Sequence, residues 1–518
     1  MIRPRLAWRL PLSDQTPQTA RILILVVAYE AESTLAEVLR RIPDEVFAHD
    51  TEILVIDDGS KDATFAAGLR WSETTPRSVR VLCNRDNQGY GGNQKIGYEY
   101  AIRQGFDFVL LLHGDGQYAP EVIPELLAPL LNGSADAVLG SRMMAPGAAR
   151  GGGMPLYKLL GNGILTRFQN WMLGASLSEF HSGFRAYRVG VLRRLPFRYN
   201  TNDFHFDTEI LIQFLLAGCV IREVPIPTYY GDEICRVNGI RYAKDVVLAT
   251  CASRVQRLNL LYDRKFDVDG LTHTHYDLKL GYTSSHTEAL EAVPEGARVL
   301  DIGCGAGFFA EHLAAKGCRV TGVDQYPPVV AGVFEGFVEW DESEPFPDID
   351  ESGFDVVLLL DVIEHLRSPE RLLDQLRRSV RNRGRLPAFI VTSGNVGFMV
   401  IRLQLLLGNF NYGKRGILDL THTRLYTFAT MRRLFEQCGY RVSKLSGIPA
   451  PIPKALGLGR LSRALLGLNE LLIRISKGLF AYQIFLVATP TPSVEALLED
   501  SIAASEARVE EVMQRGGD

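Results

Sequence analysis

Along the first 260 residues, apolar positions fall into short unbroken runs separated by longer periodic stretches. Ile22–Ala28, Glu52–Ile56, Val79–Cys83, Phe106–Leu112 and Ala137–Leu139 are the runs. Such runs are the pattern of parallel strands buried on both faces. Between them, Ser33–Arg41, Asp62–Trp71, Gly91–Arg103 and Pro120–Leu131 repeat their apolar residues at helical spacing. The alternation predicts an α/β domain that binds its ligands at the carboxyl ends of the strands. The polar residues at those ends are Tyr29-Glu30, Asp57-Asp58-Gly59-Ser60 and His113-Gly114-Asp115-Gly116-Gln117.

The pattern dissolves between Tyr262 and Tyr282 and then begins again. Gly296–Ile302 runs into Gly303, Gly305 and Gly307 at alternate positions, with Asp301 just before them and a helix predicted over 307–316. Glycines are needed where a strand turns sharply into a helix and backbone approaches a ligand. A second strand, Arg319–Val323, ends in Asp324, an acid placed to hold two ribose hydroxyls. Phe354–Leu360 runs into Asp361-Val362-Ile363-Glu364-His365. A helix over 369–381, a strand Ala388–Thr392 and a terminal pair Tyr440–Leu445 and Tyr482–Ala488 complete the unit. The expected organisation is an extension (1–19), a first domain (20–262), a linker (263–285), a second domain (286–490) and an acidic helical tail (491–518).

Composition narrows the class. The 518 residues suffice for two to four domains, and the net charge of −4 gives no electrostatic ground for a nucleic-acid partner. The seven cysteines are scattered without a Cys-x-x-Cys pair, which fits a reducing cytosol. No signal peptide or uncharged apolar run long enough to span a bilayer is read. The most apolar stretch, Ala455–Ile475, is broken by Arg460, Arg463, Glu470 and Arg474 and reads as an amphipathic core or surface helix rather than one lying in a membrane.

Seven blocks of the first half resemble the family 2 glycosyltransferases of GT-A fold, in particular the dolichyl-phosphate-mannose-synthase-like branch. They are 27–32, 55–62, 87–91, Gly114-Asp115-Gly116-Gln117-Tyr118, Gly140-Ser141-Arg142, Ser182-Gly183-Phe184-Arg185 and Glu223-Val224-Pro225-Ile226. The resemblance implies a Rossmann-like domain that binds a nucleotide-sugar near Tyr29, Glu30, Asp57 and Asp58, with Arg142 as a leaving-group clamp. Asp115 and Gln117 would hold Mg²⁺ or Mn²⁺ against the pyrophosphate. His113 stands where the family has the first acid of Asp-x-Asp. It could be a ligand favouring manganese, or could only hydrogen-bond nearby. By its residues alone, Asp57-Asp58-Gly59-Ser60 is also a strand-ending turn with a helix cap. Asp207 and Glu209 could face an acceptor or simply favour a helix N-terminus.

The second half resembles class I S-adenosylmethionine-dependent methyltransferases, a Rossmann-like fold with a seven-stranded sheet. The resemblance implies that Asp301, Gly303, Gly305, Gly307 and Asp324 bind the cofactor, with Asp341 near the adenine. Asp361-x-x-Glu364-His365 with the distant His422 resembles the metal-holding arrangement of the plant small-RNA 2′-O-methyltransferase and of ubiquinone-pathway O-methyltransferases. A divalent ion held by Glu364, His365 and His422 would orient an acceptor hydroxyl beside Asp361. A metal-free polar site, or a structural role, is the other reading. Residues 397–415 could form an acceptor lid.

The expected activity is therefore double. The first domain would transfer a sugar from a nucleotide-sugar to a polyprenyl phosphate or saccharide, and the second would O-methylate a hydroxyl in surface-glycan or lipid-linked sugar assembly. The setting would be the cytoplasm or the inner face of the membrane, with peripheral contact. The alternative is a methyltransferase whose first domain, altered at His113, only binds or positions a glycan.

Overall fold

The computed structural model describes residues 20–498, apart from 146, 228–237, 258–260, 269–279, 348, 350–352, 378–385 and 454–458, together with 501, 502, 504, 505 and 508. The expected extension 1–19, the middle of the linker (269–279) and the end of the acidic tail lie outside the described residues. The chain divides into two compact units, one reaching Gln256 and including Asp263–Thr274, the other holding His275 onward with Arg257–Tyr262.

In the first unit, β1 (Arg21–Ala28), β2 (Asp50–Asp57), β3 (Ser78–Cys83), β4 (Phe108–His113), β5 (Ala137–Ser141), β6 (Arg185–Arg188) and β7 (Ile221–Pro225) form one sheet in the order β3-β2-β1-β4-β6-β5-β7. β6 runs antiparallel to β4 and β5; the other pairings are parallel. Side chains alternate across a strand, so β1 feeds two cores at once. Ile22, Ile24, Val26 and Ala28 pack on one face and Leu23, Leu25 and Val27 on the other. That double burial is why the run lacks polar alternation. Each fully buried leucine or isoleucine contributes about 1.5–3 kcal/mol.

The second unit repeats the architecture with β8 (Arg298–Ile302), β9 (Arg319–Asp324), β10 (Phe334–Glu339), β11 (Val356–Leu360), β12 (Ala388–Gly394), β13 (Tyr440–Ile448) and β14 (Gln483–Pro490), in the order β10-β9-β8-β11-β12-β14-β13. Only β14 runs antiparallel to its neighbours. Phe389 and Val391 of β12 enter one core and Ile390 the other.

The pattern did not anticipate β7 or the helices Leu156–Leu173 and Gly239–Arg257, and two further pieces also escaped it. β6 is four residues long and carries arginines at both ends, too short and too charged to read as a strand. Residues 263–268, expected as linker, are built into the first unit: Phe266 is buried, and Lys265 pairs with the buried Glu209 at 2.8 Å. Among the described residues no helix is long and apolar enough to cross a membrane.

Candidate functional sites

In the first unit, the carboxyl ends of β1, β2 and β4 open into a cavity of about 1370 Å³. Tyr29, Glu30, Asp58, His113, Asp115, Gln117 and Arg142, all expected at a site, line it together. Asp57 does not line it; its Oδ1 accepts from the Ser60 amide at 3.1 Å and from the Ser60 hydroxyl. Asp57 thus closes the strand-ending turn, while Asp58 faces the cavity and is held by Asn84 at 2.7 Å and by the Gln88 amide at 2.8 Å. Adjacent acids on a strand point to opposite sides, which separates their roles.

Asp115 is exposed to the cavity, with Oδ1 accepting from the Gln117 amide at 3.0 Å. His113 sits deeper. Its Nε2 lies 3.2 Å from the Tyr90 hydroxyl, which donates to Asp207 Oδ2 at 2.9 Å. Because the single Tyr90 proton is committed to Asp207, Nε2 of His113 must be the donor, and the lone pair is left on Nδ1. Burial lowers the His113 pKa, so the ring is neutral. Asp207 also accepts from Gln94 at 3.2 Å and pairs with the fully buried Arg185 at 3.6 Å. Gly183 makes this packing possible: a Cβ there would lie 2.7 Å from the His113 ring and 2.8 Å from the Tyr90 hydroxyl.

Arg142 lines the cavity, but its head group is not a surface one. Its Nε donates to Glu179 at 3.0 Å, its amide reaches the other oxygen at 2.8 Å, and both residues are buried. Glu209 is equally committed, to the Thr201 amide at 2.7 Å and to Lys265. His181 was missed by sequence reading, although it stands one residue before the quoted Ser182 block. It lines the cavity, bonds Tyr242 through Nδ1 at 2.9 Å, and buries an Nε2 with no partner among the described residues. Burial pushes its pKa down to about 4.

Asp203, His205 and Asp245 bring three donor atoms within 4.8 Å of one another. The Arg241 guanidinium already lies 3.4 Å from Asp203 and 3.8 Å from Asp245, supplying the positive charge those acids require.

In the second unit the glycine loop follows β8. Gly303 has φ +78°, and a Cβ there would meet Val362 at 2.3 Å. The Gly305 amide donates to Asp324 Oδ2 at 2.8 Å, so the acid after β9 closes onto the loop. Gly307, at φ +90°, opens the helix Phe308–Ala315. Asp301 is buried under this turn, and burial together with the Asp324 charge pushes its carboxyl up to about 7. Asp341 follows β10, with Ser343 and Gln325 hydrogen bonds holding its carboxyl below the usual range.

Beyond β11, Glu364 is buried, and burial together with Asp361 raises its carboxyl to about 8. Its Oε2 has no partner among the described residues. His365 and His422, 57 positions apart, stand with ring centroids 4.8 Å apart. His422 Nδ1 lies 3.0 Å from the Ile417 carbonyl and donates to it, which leaves the Nε2 lone pair for a ligand. Asp361 does not join this group. Gln483 Nε2 bridges its two oxygens at 2.8 and 2.9 Å, and Thr392 donates at 2.7 Å. Asp361 and Glu30 are the two non-glycine residues with positive φ among the described residues, at 55° and 51°. Such backbone strain concentrates where a site demands a particular side-chain direction.

Residues 23–195 match the family described as glycosyl transferase family 2, and residues 275–445 match the methyltransferase domain family. The polyprenol monophosphomannose synthase of Mycolicibacterium smegmatis is 26% identical over 209 residues, 40% of this chain and 77% of the relative. The undecaprenyl-phosphate mannosyltransferase of Micrococcus luteus is 29% identical over 218 residues, 41% of this chain and 85% of the relative. Among solved structures, the UDP complex of glucosyl-3-phosphoglycerate synthase from Mycobacterium tuberculosis is similar at TM-score 0.35 and 17% identity, over 48% of this chain and 84% of that one.

Proposed function

We propose that this chain, a family 2 glycosyltransferase domain joined to a methyltransferase domain, glycosylates a polyprenyl phosphate and O-methylates a sugar hydroxyl on a glycan or lipid-linked product. The methyltransferase domain implies S-adenosylmethionine as methyl donor. The mycolicibacterial and micrococcal relatives are named for polyprenol-phosphate acceptors, and a relative from Methanococcus voltae for a UDP-sugar donor and a dolichyl-phosphate acceptor.

The observation that carries the first half is the wall of the donor cavity. The helix Leu156–Leu173 lines it with Tyr157, Lys158 and Leu165, while Leu160, Ile164 and Trp171 on the same helix are 64, 65 and 78% exposed. A cavity that holds charged side chains such as Asp58, Asp115 and Lys158 and is edged by an apolar helix suits an acceptor whose phosphate enters the site and whose chain stays outside. Asp58 and Glu30 would bind the nucleoside. Asp115 and Gln117 offer hard oxygen ligands to a divalent cation, which when bound would neutralise the departing diphosphate. His113, with its lone pair on Nδ1, offers the third donor and shifts preference towards manganese. In the transfer, the bond from the sugar's anomeric carbon to the diphosphate breaks, and an acceptor phosphate oxygen forms the new one. An ionised phosphate needs no general base. The domain thus works at a membrane surface on the cytoplasmic side, where nucleotide-sugars are found.

In the second domain, Gly303, Gly305 and Asp324 would cradle the cofactor. The unpartnered Glu364 oxygen and the His422 Nε2 lone pair, with His365 beside them, would hold a divalent cation, which when bound would lower the pKa of an acceptor hydroxyl. Asp361, fixed by Gln483 and Thr392 at the end of β11, would face the bound cofactor.

The test is sugar transfer from radiolabelled nucleotide-sugars to polyprenyl phosphate with Mg²⁺ or Mn²⁺. Asp115→Ala should abolish it. Full inactivity of the wild type with every donor, combined with tight glycan binding, would instead favour a first domain that only positions glycan for methylation.

A further inference from the structure

The helix Arg460–Ile475 of the methyltransferase unit carries an apolar face that no described residue covers. Leu461, Leu468, Leu471 and Ile475 are 67, 53, 55 and 74% exposed, at a spacing that places them on one side of the helix. The opposite side anchors it. Leu466 is buried, Ile473 packs against the core, Asn469 bonds the Ala450 amide and the Phe480 carbonyl at 2.9 Å each, and Glu470 accepts from Thr283 at 2.7 Å. This is an ordered helix with an unsatisfied face, since five fixed contacts hold its orientation.

Charge says what covers that face. Arg460, Arg463 and Arg474 are exposed along one edge of the apolar stripe, and none forms an ion pair among the described residues. The helix's single acid, Glu470, is turned away and bonded. An apolar stripe bordered by unpaired arginines is complementary to a bilayer surface with anionic headgroups, where leucines enter the acyl boundary and arginines stay among the phosphates. A soluble protein partner would leave three arginines requiring acids of their own.

Position adds a second argument. The helix bridges β13 and β14 at the end of the sheet where Ile448 pairs with Gln483, the residue that grips Asp361. The acidic tail of the chain leaves from the other end, where Pro490 pairs with Tyr440. A second exposed apolar element, with Leu406 at 81% and Leu407 at 76%, follows β12 at the same end as Asp361. Asn395 ties its start to the Gly478 and Ala481 carbonyls.

We infer that Arg460–Ile475 is a membrane-contact helix that holds the methyltransferase domain, site end first, against an anionic lipid surface. The inference concerns a surface and stands independently of either reaction proposed above. Its test is flotation of the full-length protein, without substrates, on vesicles of phosphatidylcholine alone or mixed with phosphatidylglycerol. Wild type should float with the anionic vesicles and be released by salt. Each arginine near such a surface is worth about fivefold in partition, so Arg460→Glu, Arg463→Glu and Arg474→Glu combined, which remove three such charges and add three repelled ones, should lose at least about a hundredfold. Leu468→Asp with Ile475→Asp should lose at least about tenfold. S-adenosylhomocysteine affinity, measured by calorimetry, should be unchanged in both. If the aspartates disturb folding, the arginine variant, which alters surface charge alone, still decides. Equal flotation of wild type and arginine variant overturns the inference, as does wild type that ignores anionic vesicles. It is equally overturned by flotation that appears only after removal of residues 499–518, which would make the acidic tail the occupant. A solution dimer dissolved by the aspartates would assign the face to a second copy.

Discussion

Replacing Asp301 by Asn should make the methyltransferase domain more stable and less able to bind its cofactor. Asp301 is 3% exposed beneath the glycine turn, and burial with Asp324 nearby moves its carboxyl from 3.8 to about 7. A displacement of that size costs the ionised form roughly 4 kcal/mol. The sign follows from proton uptake. Between pH 4 and 7 the folded domain holds a proton that the unfolded chain has released, so stability falls across that window and levels off above it. Below pH 4 both states are protonated and the term vanishes. Asparagine removes it, while burial of an imperfectly bonded amide returns about 1–3 kcal/mol. The expected net gain is about 1–3 kcal/mol above pH 7, a rise of roughly 5 °C in the unfolding temperature of a domain this size. Near pH 4 the gain should disappear or reverse. The assay is scanning calorimetry of wild type and Asp301→Asn at pH 4.5 and 8, with S-adenosylmethionine titrated at pH 8. The cofactor carries positive charge, so wild-type affinity should rise as Asp301 ionises through pH 7, and the variant should lose both the affinity and its pH dependence. A variant less stable than wild type at pH 8, by the same margin as at pH 4.5, would refute the reasoning. It would mean that Asp301 is ionised and well bonded in the apo fold.

Three further outcomes follow from the geometry. Gly183→Ala forces a methyl into the His113–Tyr90 contact and should reduce sugar transfer at least about a hundredfold, with an overpacking loss of about 1–3 kcal/mol in the first domain; unimpaired transfer would show that the contact is dispensable. Tyr90→Phe cuts His113 from Asp207 and should alter the ratio of Mn²⁺- to Mg²⁺-supported transfer, since the His113 tautomer is no longer fixed; an unchanged ratio would exclude His113 as a ligand. His422→Ala should abolish methyl transfer while leaving S-adenosylmethionine affinity within about twofold, as measured by calorimetry, and wild-type methylation should respond to chelators; chelator-insensitive methylation would favour a metal-free polar site.

The parts of the fold legible in the sequence are those whose cause is local. β1, β2 and β8 are apolar runs because both their faces are covered, and burial of that kind leaves its mark on every residue. Gly303 and Gly307 were equally legible, because a positive φ restricts residue type directly. What was not legible depends on residues far apart in the chain. Nothing near Asp57 distinguishes its capping of Ser60 from the outward direction of Asp58, since side-chain direction is set by the pleat. Arg142 read as a leaving-group clamp, with no sign of its buried partner Glu179, because Glu179 lies 37 positions away. The Tyr90–Asp207 bond spans 117 positions, and the Gln483 grip on Asp361 spans 122. The meeting of His365 and His422 over 57 positions was anticipated only through resemblance to other methyltransferases.

Both domains resolve the same topological problem in the same place. In the first sheet β1 lies between β2 and β4, and in the second β8 lies between β9 and β11, so chain direction from the starting strand reverses there and a crevice opens above it. Glu30 follows β1, His113 ends β4, Asp301 lies within β8, and Asp361 follows β11. The two strained non-glycine residues, Glu30 and Asp361, are therefore each beside one of the two crevices. Their strain cannot come from loop length, because each immediate neighbourhood is fixed by hydrogen bonds: the Glu30 amide to Ser60 at 2.8 Å, and the Asp361 amide to Thr392 at 3.0 Å. A carboxylate turned by a left-handed backbone at the mouth of a switch point costs stability of order 1–3 kcal/mol. A fold that needed only to stand would place glycine or asparagine at either position. An acid there at that cost supports the proposal that each domain binds its ligand at this crevice, and it appears once in each domain.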